Sequence, residues 1–203
     1  MNALAACLCV VLVSVVGCAG KGERIDVAIP GKVTSAAAAS SDGPRIAVLP
    51  FDDKRANQMH LGQRVHLWGG TSYFDLSNGT LSKASAQALV DYLNQQGWRA
   101  SLARTQGREG ADVTIFGAIQ EMSIDATSGV MHTDLSVKDT LTLQIINHSD
   151  DSIVDDFVSG SGTDQVIWFE SEDAQTLISE LLESNFQKFV TDVRIDGQAI
   201  CLK

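Results

Sequence analysis

The sequence predicts an α/β (α+β) domain in which two main helices pack on one mixed sheet of about five strands. Three observations carry this reading. Arg45 to Phe51 reads Arg-Ile-Ala-Val-Leu-Pro-Phe, the near-continuous apolar run of a central strand buried on both faces. From 135 to 146 the odd positions read Leu, Val, Asp, Leu, Leu, Ile and the even ones Ser, Lys, Thr, Thr, Gln, Ile, so one face of that strand is buried and the other wet. Two stretches repeat apolar residues at helical spacing: Leu81, Ala84, Ala88, Leu89, Tyr92 and Leu93, then Ala174, Leu177, Ile178, Leu181, Leu182, Phe186, Phe189 and Val190.

The remaining elements follow from local chemistry. Ile25 to Val33 alternates weakly, enough for an edge strand, and Pro50 ends the ladder of the first buried strand. Residues 63–79 hold Val65, Leu67, Trp68, Tyr73 and Phe74 around Gly69-Gly70, a hairpin or a long loop. Thr80 caps the first helix and Gly97 stops it. Trp98 to Ala103 returns as a strand, 104–110 is a polar loop, and Val113 to Ile119 is apolar on both parities, as a central strand is. His148 to Ser152 forms a turn with Asx chemistry, Ile153 to Ser159 runs back antiparallel, and Gly160-Ser161-Gly162 reads as a turn or bulge. Ser171 opens the second helix, with Glu172 and Asp173 placed to favour its dipole. The tail from Asp192 either adds a last strand or stays loose.

The chain begins differently from this body. Met1 to Gly17 carries no charged side chain, and the apolar run Leu4 to Val16 is shorter than the ~20 residues that span a bilayer. It is a signal segment, and it ends in Val15-Val16-Gly17-Cys18. That ending resembles the lipobox of bacterial lipoproteins, whose cysteine is acylated and becomes the mature amino terminus. The resemblance implies residues 1–17 as signal peptide, Cys18 as the lipidated residue and, since Ala19 rather than Asp follows it, the outer membrane. Leu4-Ala5-Ala6-Cys7 is a second formal match with almost no apolar run before it, and a cleaved secretory signal without lipid is the plainer alternative. Three acyl chains, as the resemblance implies, anchor stably where one binds marginally. Residues 18–44, rich in Gly, Ala and Ser, read as a tether with an r.m.s. span of about 25 to 30 Å. Residues 45–203 form a single domain.

Composition narrows the function. A net charge of -10 argues against nucleic acid and against broad electrostatic contact with anionic lipid, which leaves membrane attachment to the acyl chains. Once Cys7 and Cys9 leave with the signal and Cys18 is blocked, Cys201 is the remaining thiol, either inert or the site of an intermolecular disulfide. The four histidines, His60, His66, His132 and His148, lack metal-ligand spacing, and Gly160-Ser161-Gly162 has no P-loop lysine after it, so neither metal nor cofactor is expected.

Ile46 to Arg55, read Ile-Ala-Val-Leu-Pro-Phe-Asp-Asp-Lys-Arg and followed by Leu61-Gly62, resembles the opening of YajG-type lipoproteins. It is also similar to periplasmic domains in the amino-terminal half of TolB, in the curli exporter CsgG and in the synthase activator LpoB. The resemblance implies an anticodon-binding-domain-like fold facing the periplasm, and it supplies no catalytic residues.

Three functional classes remain. The first is a non-enzymatic outer-membrane lipoprotein that binds or scaffolds an envelope assembly for secretion, motility or wall synthesis. In it Trp68, Tyr73 and Phe74 form the candidate patch for a protein partner, and a homo-oligomer is left open. The second is a small periplasmic hydrolase using Asp52, Asp53 and His60 after a strand end, where α/β proteins place sites. The structural reading of those same acids is a turn, or pairing with Lys54 and Arg55. The third is a carrier of an apolar ligand held in a cavity between sheet and helices.

Overall fold

The computed structural model describes residues 22–28, 43–104 and 110–203; the signal segment, Cys18 and most of the expected tether lie outside them. In chain order the elements are β1 (Glu23–Ile25), β2 (Arg45–Val48), β3 (Asp52–Asp53), β4 (Gly62–Val65), β5 (Thr71–Leu76), α1 (Leu81–Gln95), β6 (Arg99–Leu102), β7 (Val113–Ser128), β8 (Thr133–Asn147), β9 (Ile153–Val166), α2 (Ser171–Asp192), β10 (Val193–Asp196) and β11 (Ala199–Leu202). Among these residues nine strands form one mixed sheet and the last two a separate hairpin. The class is the expected one, with more strands than the sequence pattern marks.

The sheet is built on β7. Along one edge it pairs in succession with β2, β3 and β4, all parallel, while its other edge pairs antiparallel with β8 over nearly its whole length. β8 carries β9, β2 carries β6, and β4 carries β5 and then β1. A bulge between Ile119 and Glu121 switches the buried face of β7 from odd positions (Val113, Ile115, Ile119) to even ones (Met122, Ile124, Ala126).

Both helices lie against this sheet: α1 touches β6, β2 and β3, and α2 touches β9, β8 and β1. The Oγ1 of Thr80 accepts the Lys83 N–H at 3.4 Å to start α1, and an Asp173 carboxylate accepts the Glu170 N–H at 2.8 Å to start α2. Between helices and sheet, Phe74, Leu89, Leu93, Phe186 and Phe189 have no solvent exposure, and the Tyr92 and Phe186 rings meet at 5.9 Å. Each such side chain contributes ~1.5–3 kcal/mol through burial. The space in which an apolar ligand would have to lie is thus filled with side chains.

Two expectations are corrected. Gly160-Ser161-Gly162 is neither turn nor bulge: it lies inside β9, paired with Asp139, Lys138 and Val137. A Cβ on Gly160 would stand 2.7 Å from Leu181 and 3.0 Å from Asn185, so glycine is required there for α2 to lie close on the sheet. Residues 23–27 do not belong to a tether. β1 pairs parallel with β5, Ile25 is fully buried, Val27 is 6% exposed, and Gln175 of α2 accepts the Asp26 N–H at 3.0 Å. The strand expected from Ile25 to Val33 meets β1 at Ile25 alone: β1 ends there, 26–28 are not strand, and 29–33 lie outside the described residues.

Gly117 lies under the Phe51 ring, where a Cβ would overlap the ring carbons. Gly117→Ala is expected to lower the free energy of unfolding in urea by ~1–3 kcal/mol, as overpacking does. Adding Phe51→Leu should return part of that loss.

Candidate functional site

The acids after the first buried strand each lie beside a basic neighbour. Asp53 Oδ1 accepts from Arg55 Nε at 3.0 Å and from the Arg55 backbone N–H at 3.2 Å, and Asp53 Oδ2 accepts from Arg55 Nη2 at 2.9 Å. Arg55 Nη1 also donates to the carbonyls of His60 and Met122, tying this loop to β7. Burial acts to raise the Asp53 carboxyl, but the hydrogen bonds and charge of Arg55 outweigh it and hold it below the ordinary range. Asp52 stays at the surface, 3.6 Å from Lys54 Nζ. His60 Nδ1 meets Asp75 Oδ1 at 2.7 Å, and its ring stacks on Tyr73 at 4.3 Å. The three residues of the hydrolase reading thus serve different partners, and the pairing of the acids with Lys54 and Arg55 is what the structure contains. Among the described residues no three His, Cys, Asp or Glu side chains gather to hold a metal.

Asp53→Ala leaves an Arg55 side chain of 7% exposure without its counter-charge. It is expected to cost about 3 kcal/mol of stability, read as a fall in the urea midpoint.

The aromatic patch divides. Trp68 is 94% exposed at the tip of the β4–β5 hairpin, where Gly69 and Gly70 take φ of 89° and 93° to turn the chain. Tyr73 is half-exposed and lines a surface groove of about 550 Å³ with Arg55, His60, Gln63 and Asp125. Phe74 does not belong to the patch: it points to the opposite face of β5 from Tyr73, is wholly buried, and meets Phe169 at 6.0 Å. Cys201 is a half-buried free thiol on β11.

Two further surfaces stand out. The face of the sheet turned away from the helices carries a groove of about 660 Å³ with Leu49, Pro50, Phe116 and Phe157 in its lining and Asp52, Lys54 and Asp155 beside them. Phe157 is 60% exposed on β9, which among the described residues pairs with β8 alone and so leaves its outer edge without a strand partner, Lys188 of α2 donating to the Ser159 carbonyl at 3.0 Å. The second surface is the end of the sheet where β4, β7 and β9 finish and β5 and β8 begin. Around Trp68 it exposes Val130 and Met131 in the β7–β8 turn (84% and 77%) and Ile167 and Trp168 before α2 (74% and 85%). Apolar residues inside turns were the only trace of this in the sequence.

One buried group titrates near neutrality. Asp139, on the helix-facing side of β8, has no exposure; its Oδ2 accepts from Asn185 of α2 at 3.1 Å and its Oδ1 has no partner. Burial first, then the Glu121 charge, raises its carboxyl, which the Asn185 and Thr140 hydrogen bonds lower only in part, to about 7. Lys188 on α2 donates to Asn185 Oδ1 at 3.3 Å, one step removed. The unfolded chain releases this proton near 3.8 and the folded one near 7, so folding takes up a proton between those values. Stability from this group is complete at acid pH and is lost as pH rises through about 7. Asp139→Asn should remove that decline, seen as a flatter melting temperature from about pH 4 to pH 8.

Comparison of the sequence with protein-family models and with curated proteins finds no match. Solved structures do share the fold. A crystallised uncharacterised protein overlays with a TM-score of 0.52 over 85% of this chain and 98% of its own, at 6% identity. Protein XCC0632 from Xanthomonas campestris gives 0.48 at 9% identity, over 84% of this chain and 92% of its own. Lipoprotein GNA1162 from Neisseria meningitidis gives 0.38 at 12% identity, over 70% and 96%. At 6% identity the first of these likenesses is one of fold alone. No helix among the described residues is long and apolar enough to cross a membrane.

Proposed function

We propose that the protein is a non-enzymatic subunit of a cell-envelope assembly, held in the outer membrane by lipid on Cys18, with its domain in the periplasm. The observation that carries the assembly role is the helix-free face of the sheet, where Phe157 stands 60% exposed beside a groove lined by Leu49, Pro50 and Phe116 and next to an open strand edge. An open edge offers main-chain hydrogen bonds to an incoming strand, and the groove offers pockets for its side chains. The occupant is a protein segment in extended form, from another envelope component or a second copy of this chain. The anchoring rests on the Val15-Val16-Gly17-Cys18 ending and on the resemblance of residues 46–62 to YajG-type lipoproteins. Against the hydrolase stands the engagement of both Asp53 oxygens by Arg55.

The test places a photo-crosslinking amino acid at Phe157 in the lipidated protein in its native envelope, and at the exposed Gln87 of α1 as control. One discrete adduct at 157 and none at 87 is expected. No adduct at 157, or the same ladder at both positions, overturns the reading. Phe157→Ala should weaken capture of that partner about tenfold or more, as loss of a buried aromatic anchor does.

A further inference from the structure

We infer that the end of the sheet bearing Trp68, Val130, Met131, Ile167 and Trp168 is a membrane-seating rim, which inserts into the phospholipid surface that holds the acyl chains of Cys18. This rests on the proposed lipidation, and the experiment below separates the two.

Strand direction places the rim. β4 runs parallel to β7 with Val65 opposite Thr127, β8 begins with Thr133 opposite Ser128, and Val166 at the end of β9 lies opposite Thr133. The three turns that follow or join these strands therefore project from the same end of the body. Each ends in apolar side chains between 74% and 94% exposed, two of them tryptophans. Tryptophan is the residue that settles at the membrane–water boundary, its ring in the headgroup region.

The chain itself points to the occupant. β1 is parallel to β5 with Glu23 level with Phe74, so at Gly22 the chain points toward Thr71 and the Trp68 tip. From Phe74 back to Gly70 is about 13 Å of strand. The five residues from Glu23 back to Cys18 reach at most ~18 Å when extended. The anchor can thus arrive at the level of the rim and scarcely beyond it, so a bilayer holding Cys18 meets this end of the body first. A second copy docked here would compete for that space with the membrane.

Charge fits a zwitterionic surface entered by insertion. The charged and titratable side chains on and beside these turns include Arg64, 3.3 Å from Glu23, His66, and His132, 3.4 Å from Asp134, together with Asp164 and Glu170. With a chain charge of -10, attachment by the rim should persist when salt is raised.

The test uses the full lipidated protein in phosphatidylcholine vesicles with or without bromine on the acyl chains. Trp98→Phe leaves emission from Trp68 and Trp168 alone, while Trp68→Phe with Trp168→Phe leaves Trp98, which immediately precedes β6 at the opposite end of the sheet. The rim tryptophans should shift to the blue and lose emission on brominated lipid, with no change on adding salt, and Trp98 should be indifferent. Equal quenching of both sets, no quenching of the rim pair, or shielding of the rim pair from aqueous acrylamide before vesicles are added, as a second copy would produce, overturns the inference. Intact mass reports the acyl chains separately. An unlipidated protein whose rim is quenched sinks the anchor and keeps the rim, and a lipidated one whose rim is not quenched does the reverse.

Discussion

Everything in this domain depends on one strand being paired along both edges. β7 gives one edge to β2, β3 and β4 in turn and the other to β8, so every other strand of the sheet is attached to it directly or at one or two removes. Sixteen residues of strand extend roughly 50 Å, a length that lets three short strands share an edge which a typical strand would give to one. The arrangement demands close approach at defined places. Gly62 leaves room for the backbone at Ile124, and Gly117 leaves room for the Phe51 ring. Among the described residues the helices lie on one side of the sheet and leave the other side uncovered, the asymmetry on which the proposed partner surface rests.

The parts legible in the sequence were those with an unbroken period. The alternation from 135 to 146 gives β8 its buried odd face, Asp139 included, and the two apolar stripes give α1 and α2 almost to the residue. β7 was read only to Ile119 because the bulge after that residue moves the buried positions from odd to even, which breaks the pattern while the strand continues. The sequence pattern ends β9 at Ser159 because glycine signals a turn; in the fold Gly160 and Gly162 are what lets Leu181 and Leu177 lie on the strand. The two-residue β3 and three-residue β1 are too short to show any period.

The candidate surfaces were legible only in part, for a similar reason. Tyr73 and Phe74 are neighbours on a strand, so one must face out when the other faces in, and their sequence does not say which. Trp68 stood out beside two glycines, whereas Val130, Met131, Ile167 and Trp168 lie in separate turns up to a hundred residues away that only the sheet register brings to one end. Asp52, Asp53 and His60 have the composition of a site, and the geometry distributes them among Lys54, Arg55 and Asp75.

The structure also bears on how the body would relate to the anchor proposed at Cys18. A tether running from 18 to 44 would let the domain swing some distance from the membrane, but β1 builds residues 23–25 into the sheet and leaves four residues between Cys18 and the fold. With Cys18 lipidated as proposed, the small number of residues before β1 and the apolar end of the sheet would make the membrane part of the binding geometry, with the helix-free sheet face held at a fixed height above it. Neutron reflectometry of the lipidated protein on a supported phosphatidylcholine bilayer measures that height directly. The account predicts protein density continuous with the headgroup layer, and a water layer of about 25 to 30 Å beneath the domain, as a free tether would give, would contradict it.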